Sequence, residues 1–233
     1  MPVERFFIDN PLLEKTTVIL ERSEAFHLTH VIRLKVGDVV ELVNGKNALA
    51  SACILSIHKL ETSLFVEKTL HNPAPKPHLI LCVAYPRFAR LEVVIEKGTE
   101  LNVSSFWLFP GDRSEKKALS KNQKERLEHL CIAAMKQCGR LDLPSILTLP
   151  SLSAWKKPEG TLFFGDPEEK IASLRPIQPP CFFFSGPGAG FSEKELSFMK
   201  NWGAQGISLS KNVLKADTAP IAAAAILAQF AGW

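Results

Sequence analysis

The chain has no apolar run long enough to cross a bilayer. Its longest apolar stretches, such as Leu79–Tyr85 and Ile221–Phe230, fall well short of the ~20 residues a spanning helix needs. The opening Met1-Pro2-Val3-Glu4-Arg5 lacks the basic-then-apolar layout of a secretion signal. Five cysteines (Cys53, Cys82, Cys131, Cys138, Cys181) are odd in number and scattered, and no two stand as C-x-x-C. That pattern argues against a disulfide framework and a zinc site, so no metal is expected and a reducing cytoplasm is. His27 and His30, three residues apart, read as ordinary helix residues. Internal repeats and low-complexity tracts are missing too.

What remains is the ordinary makeup of a globular protein, 46% hydrophobic and 22% charged over 233 residues. Such a chain suits one large domain, or a small one joined to a larger one. The net charge of +4 is mild but uneven: residues 1–71 sum to −1, which leaves +5 for residues 72–233. The densest part, Asp112 to Arg140, carries eight basic and four acidic residues. This is either a solvated helix face or a patch that attracts a phosphate backbone by counterion release.

Residues 1–70 read as short strands: Val3–Phe7, Thr16–Leu20, Asp38–Val43, Ala48–Ile57 and Thr62–Val66. Asn44-Gly45-Lys46-Asn47 is a hairpin signal between two of them. A helix is expected from Ser23 to about Ile32, with Ser23 as its cap. Short strands with turn punctuation suggest a small β-barrel. Residues 71–77 hold three prolines and read as a linker.

From residue 78 to 233 the pattern alternates. Expected strands are His78–Tyr85, Ser104–Phe109, Thr161–Gly165, Cys181–Ser185 and Gly206–Leu209. Helices are expected at Arg87–Leu101, Lys121–Cys138, Ser192–Asn201 and Thr218–Phe230, the third opened by the capping box Ser192-Glu193-Lys194-Glu195. This predicts an α/β domain with a largely parallel sheet.

Two loops carry the chemistry. Strand Cys181–Ser185 runs into Gly186-Pro187-Gly188-Ala189-Gly190-Phe191. A tight turn needs one glycine or two, whereas three with a proline favour a loop whose backbone a ligand approaches. A dinucleotide fingerprint is a poor match, because G-x-G-x-x-G needs glycine where Phe191 stands. The second, within Ile207 to Ala219 where a strand ends, is either a solvated connection or a binding loop, with Thr218 able to cap the next helix.

Together the loops resemble the C-terminal signature of the SPOUT methyltransferases, specifically the RsmE-type 16S ribosomal RNA uridine-N3 methyltransferases. That family shows G-P-E-G-G and then L-G-x-x-I/V-L-R-x-E-T-A; here stand Gly186–Gly190, then Leu209-Ser210 and Val213–Ala219. Upstream, Glu96–Val103 resembles K-x-x-E-L-G-V, Ala133–Arg140 resembles A-x-x-E-Q-x-G-R, and His27–Asp38 matches H-L-x-x-V-L-R-x-x-x-G-D. The chain departs from the family at Lys136, Gly188, Ala189, Lys215 and Asp217. Lysine for arginine at 215 keeps the charge but loses the bidentate fork.

The resemblance implies a PUA-like RNA-binding β-barrel over residues 1–70 and a SPOUT domain with a C-terminal trefoil knot over 78–233. It implies a homodimer that transfers a methyl group from S-adenosylmethionine to N3 of a uridine in 16S rRNA, on the assembled small subunit. Cofactor contacts are then expected at Phe184, Ser185, Gly186, Pro187, Gly188, Gly190, Leu209, Ser210, Val213, Leu214 and Thr218. Arg113 matches a family arginine and is the candidate for uracil contact, with Asp217 and Glu100 as candidates for proton transfer. Arg33, Lys97, Arg140 and Lys215 are the candidates for RNA contact. Two other readings stay open: a non-catalytic RNA-binding protein that keeps the cofactor fold, and a nucleotide-cofactor oxidoreductase.

Overall fold

A computed structural model describes residues 4–59, 61–76, 78–169 and 178–230. Val3 of the first expected strand, Pro77 of the linker and the chain end 231–233 lie outside the described residues. The chain divides into two compact units, Met1–Pro75 with Met135–Leu143, and Lys76–Ala134 with Pro144–Trp233.

The first unit holds β1 (Arg5–Phe7), β2 (Thr17–Glu21), β3 (Val39–Val43), β4 (Ala48–Ile57) and β5 (Glu61–His71) in the order β1-β3-β4-β5-β2. β1 runs parallel to β3 and the other pairs are antiparallel. Alternation sets the core: Ala48, Ala50, Ala52 and Ile54 of β4 turn inward with Leu64 and Val66 of β5, as the two-residue strand period demands. The expected barrel is open, since β1 and β2 form the two edges of the sheet. At the hairpin, Asn44 Oδ1 accepts the Lys46 amide at 2.9 Å, and Gly45 and Asn47 take positive φ.

The expected helix at Ser23 is corrected in two ways. It begins at Arg22 as a short α1 (Arg22–Phe26), and the cap position is Glu21, without a side-chain cap bond. It then widens into a π-helix over His27–Ile32. Thr29 Oγ1 donates back to the Ala25 carbonyl at 2.8 Å, a bond that loosens the regular ladder.

Residues 135–143, assigned by the sequence to the second domain, belong to the first unit. Asn47 N donates to Leu141 O at 3.0 Å and Leu143 N to Gly45 O at 2.9 Å. Lys136 Nζ also pairs with Glu24 at 2.6 Å.

The second unit is built on a wholly parallel six-stranded sheet. Its strands are β6 (Leu79–Ala84), β7 (Ser105–Phe109), β8 (Ser145–Thr148), β9 (Thr161–Gly165), β10 (Cys181–Ser185) and β11 (Gln205–Ile207), ordered β11-β9-β10-β6-β7-β8. β6 and β10 are buried at every residue, which explains their unbroken apolar sequences. The helices are α2 (Phe88–Glu100), α3 (Lys121–Cys138), α4 (Glu193–Asn201) and α5 (Thr218–Phe230). α5 packs on α2, β6 and β10. Phe109, Phe164, Phe184 and Met199 form the core of another layer, with Trp107, Trp155 and Trp202 against them. β8 was not expected: it is short, lies at the sheet edge and is mostly exposed.

Candidate active site

In parallel sheets, ligand crevices open at the carboxyl ends of the strands. A cleft of about 440 Å³ lies there, beyond Gly165 of β9, Ser185 of β10 and Ile207 of β11, within the size range of small-molecule sites. The loops after β10 and β11 form most of its wall. Asp166 and Pro167 after β9 and Arg90 in the first turn of α2 complete it.

The glycines of the first loop have separate reasons. A Cβ on Gly186 would stand 3.1 Å from Phe191 N and 3.2 Å from Gly190 C, so the returning chain would have to give by a few tenths of an ångström to admit one. Gly190 has φ +73°, a conformation glycine adopts without strain, and its amide closes a turn on Pro187 O at 2.8 Å. A Cβ on Gly188 or Gly190 would meet nothing within 4 Å, which leaves that part of the wall bare. Ala189 is not among the residues with positive φ, so alanine is accommodated where the family pattern has glycine.

The second loop folds on itself. Ser208 Oγ donates to Ser210 O at 2.9 Å, and Ser210 Oγ accepts the Asn212 amide at 3.1 Å. Val213 is left 81% exposed, although it lines the cleft. Asp217 Oδ1 accepts the Thr218 amide at 3.1 Å, so Asp217 serves the start of α5.

Arg113 follows β7, and its Nη1 donates to the Ala189 carbonyl at 3.1 Å. The arginine thus braces the glycine loop from outside. Behind it, Glu195 is 3% exposed. Its Oε2 accepts the Ser192 amide at 2.8 Å while Ser192 Oγ accepts the Glu195 amide at 3.1 Å, the expected capping box. Its Oε1 accepts the Asp112 amide at 3.0 Å. Lys117 Nζ holds the same loop through Gly111 O and Asp112 O, at 2.6 and 3.0 Å.

Of the expected cofactor residues, Ser185, Gly186, Pro187, Gly188, Gly190, Leu209, Ser210, Val213 and Leu214 line the cleft, as does Lys215. Phe184 does not: its ring is fully buried, 6.1 Å from Trp155 and 6.3 Å from Trp202. Thr218 and Asp217, at the start of α5, are not among the lining residues, although Ala216 and Ala219 on either side of them are.

Glu100 and Lys97 are not brought to the cleft. Arg90 lines it from the first turn of α2, and ten helical residues at about 1.5 Å each carry Glu100 ~15 Å further along. There the chain turns back beside the amino end of β6, where Ser104 N meets Leu79 O. Lys97 Nζ is bound to Glu100 at 2.7 Å and Glu96 at 2.9 Å, bonds that raise its pKa above the usual lysine range. Arg33 and Arg140 belong to the first unit. Arg33 is exposed at φ +65°. Arg140 is 6% exposed and bidentate on Asp142, at 3.1 and 2.6 Å, so it is committed to fixing residues 139–143. Sequence reasoning missed Arg90, Asp166 and the second bond of Glu195. Among the described residues, no three His, Cys, Asp or Glu gather to hold a metal ion, and no helix is long and apolar enough to cross a membrane.

The chain is similar to several known proteins. Ribosomal RNA small subunit methyltransferase E of Rickettsia conorii is 29% identical, over 97% of this chain and 95% of its own. The Bacillus subtilis protein of that name is 24% identical, over 94% and 93%. Two solved structures share the fold, each aligned over 97% of both chains. A candidate methyltransferase of Legionella pneumophila with SAM bound has a TM-score of 0.88 at 24% identity. Ribosomal RNA small subunit methyltransferase E of Neisseria gonorrhoeae, bound to S-adenosyl methionine, has 0.85 at 23%. A family model for an RNA methyltransferase PUA domain matches residues 20–64, within the first unit. The model for the RNA methyltransferase domain matches residues 72–228, cleft and both loops included, and by that match the chain belongs to the RNA methyltransferase family.

Proposed function

We propose that this chain transfers a methyl group from S-adenosylmethionine to N3 of a uridine in 16S ribosomal RNA, on the assembled small subunit. The observation that carries the reading is the cleft at the carboxyl ends of β9, β10 and β11, walled largely by the loops after β10 and β11. The names of the relatives support the ribosomal substrate, and the ligands of the fold neighbours support the cofactor.

The residues present fit such a ligand. Gly188 and Gly190 keep side chains off the wall, so a flat adenosine can lie against backbone. Val213 offers an uncovered apolar contact. Bound there, the cofactor supplies an electrophilic methyl group on its sulfonium.

The protein supplies the rest. Uracil N3 carries a proton and is a poor nucleophile until that proton leaves. Arg113 spends one donor on Ala189 O and retains others of its five for a uracil oxygen, where negative charge collects as the proton departs. The N3 proton passes to solvent water while Arg113 holds the uracil anion, and Asp217 is the weaker candidate for a base because its Oδ1 is engaged at the helix start. Lys215 at the cleft and Arg33 on the first unit take RNA phosphates. The chain acts in the cytoplasm as a homodimer, and the trefoil knot belongs to the same reading.

Mass spectrometry of 16S rRNA from a strain lacking the gene tests it. One N3-methyluridine should be lost and restored by the intact gene. An unchanged methyluridine content would overturn the proposal.

A further inference from the structure

We infer that Arg90 is the anchor for the carboxylate of the cofactor's methionine end, an inference that rests on the cofactor reading above. Among the described residues, three charged ones line the cleft: Arg90, Asp166 and Lys215. S-adenosylmethionine carries an ammonium, a sulfonium and a carboxylate, so its tail is sorted by these charges.

Arg90 is half-buried and its guanidinium makes no hydrogen bond or ion pair among the described residues. A half-buried cation facing a cleft without a partner is incomplete until an anion arrives. Its planar fork matches a carboxylate through two parallel bonds. Lys215 is the competing cation, but it is exposed. A hydrated point charge there gives up more water for less geometry. Asp166, half-buried with Oδ1 accepting the Glu168 amide at 3.0 Å, repels the ligand carboxylate and directs it to Arg90. The placement follows from the chain. Arg90 lies six residues beyond the end of β6, and β6 is the neighbour of β10, the strand that carries the glycine loop.

The test compares S-adenosylmethionine with its decarboxylated analogue, which keeps adenosine, sulfonium and amine. Calorimetry on the full chain should show the parent preferring S-adenosylmethionine by roughly ten- to a hundredfold, the range of a charge-assisted bond. Arg90→Gln should bind the two ligands alike, with the analogue's affinity unchanged, and Arg90→Lys should restore part of the preference. The unchanged analogue is also the control for folding. The inference is overturned if the parent binds both ligands equally, if Arg90→Gln keeps the parent's preference, or if it weakens both ligands by the same factor. A parent that binds neither ligand overturns the cofactor reading itself, and this inference with it.

Discussion

Glu195 joins two segments 83 residues apart: one carboxylate oxygen accepts the Asp112 amide, the other the Ser192 amide. A helix cap thereby becomes a tie between the arginine loop and the glycine loop. Glu195 is nearly closed to water and both bonds are part-buried, and an unmet buried donor costs about 1–3 kcal/mol. Glu195→Ala should therefore lower unfolding free energy by about 2–4 kcal/mol, within the handful of larger point effects. Glu195→Gln, which can still cap, should cost less. Urea denaturation measures both, and a Glu195→Ala midpoint equal to the parent's would refute the tie.

The glycine loop should divide into fold and ligand positions. Gly186→Ala presses on backbone and should destabilise the protein by about 1–3 kcal/mol, as overpacking does. Gly190→Ala should cost about 1–2 kcal/mol through its left-handed φ. Gly188→Ala should leave the melting temperature unchanged while weakening S-adenosylhomocysteine in calorimetry, because only the ligand occupies that space. Equal melting temperatures for all three variants would contradict this division.

Arg113→Ala should lower turnover by about a hundredfold or more, the cost of losing a donor to developing charge. S-adenosylhomocysteine binding should weaken by much less than turnover falls, through the lost brace on Ala189 O, and the salt dependence of RNA binding should barely move. Full turnover by the variant would remove Arg113 from the chemistry.

Electrostatic affinity belongs to other residues. Lys117 is tied to Gly111 O and Asp112 O, so its removal disturbs the loop and reports poorly on RNA. Lys116 and Lys121 are exposed. Their joint change to glutamine should flatten the slope of log K against log salt by about 0.7–0.9 for each phosphate no longer neutralised. A slope equal to the parent's in filter binding would exclude these lysines from the RNA interface.

The thiols predict a response to alkali. Burial raises the Cys181 thiol from an ordinary 9.0 to about 12, and burial, then the neighbouring Cys181, raises Cys82. The folded state keeps protons that the unfolded chain releases, so their contribution is full below pH 9 and falls as pH rises towards 12. Urea midpoints should decline between pH 9 and 11, and less steeply in Cys181→Ala. Under native conditions iodoacetamide should modify exposed Cys138 and spare Cys82 and Cys181; rapid labelling of either buried thiol would refute their assignment.

Strands such as Ala48–Ile57, Thr161–Gly165 and Cys181–Ser185, and helices Lys121–Cys138 and Thr218–Phe230, were legible to the residue because periodicity and turn residues agree there. β8 was not, being four residues of mixed polarity held by a neighbour. Nor was the π-helix, where a threonine hydroxyl bonds back to the Ala25 carbonyl. At the site, the loops were legible because glycine and proline are local signals. Glu100 was misplaced because helix length, not residue type, decides which end of the sheet a side chain reaches. Arg90 and Asp166 escaped because their roles come from a sheet order that no local pattern encodes.

That order has a consequence for how the chain comes to be folded. β9 lies between β10 and β11, both made after it, so β9 has no partner until the last fifty or so residues exist. β6 likewise keeps one edge open until β10 fills it. Such long-range parallel pairing makes for slow folding and leaves unpaired strand edges exposed meanwhile. A chain cut before Cys181 keeps β6, β7 and β8 but leaves one edge of the buried, apolar β6 and both edges of β9 facing water. Nascent or truncated forms should therefore be sticky and chaperone-dependent, while the finished sheet is not.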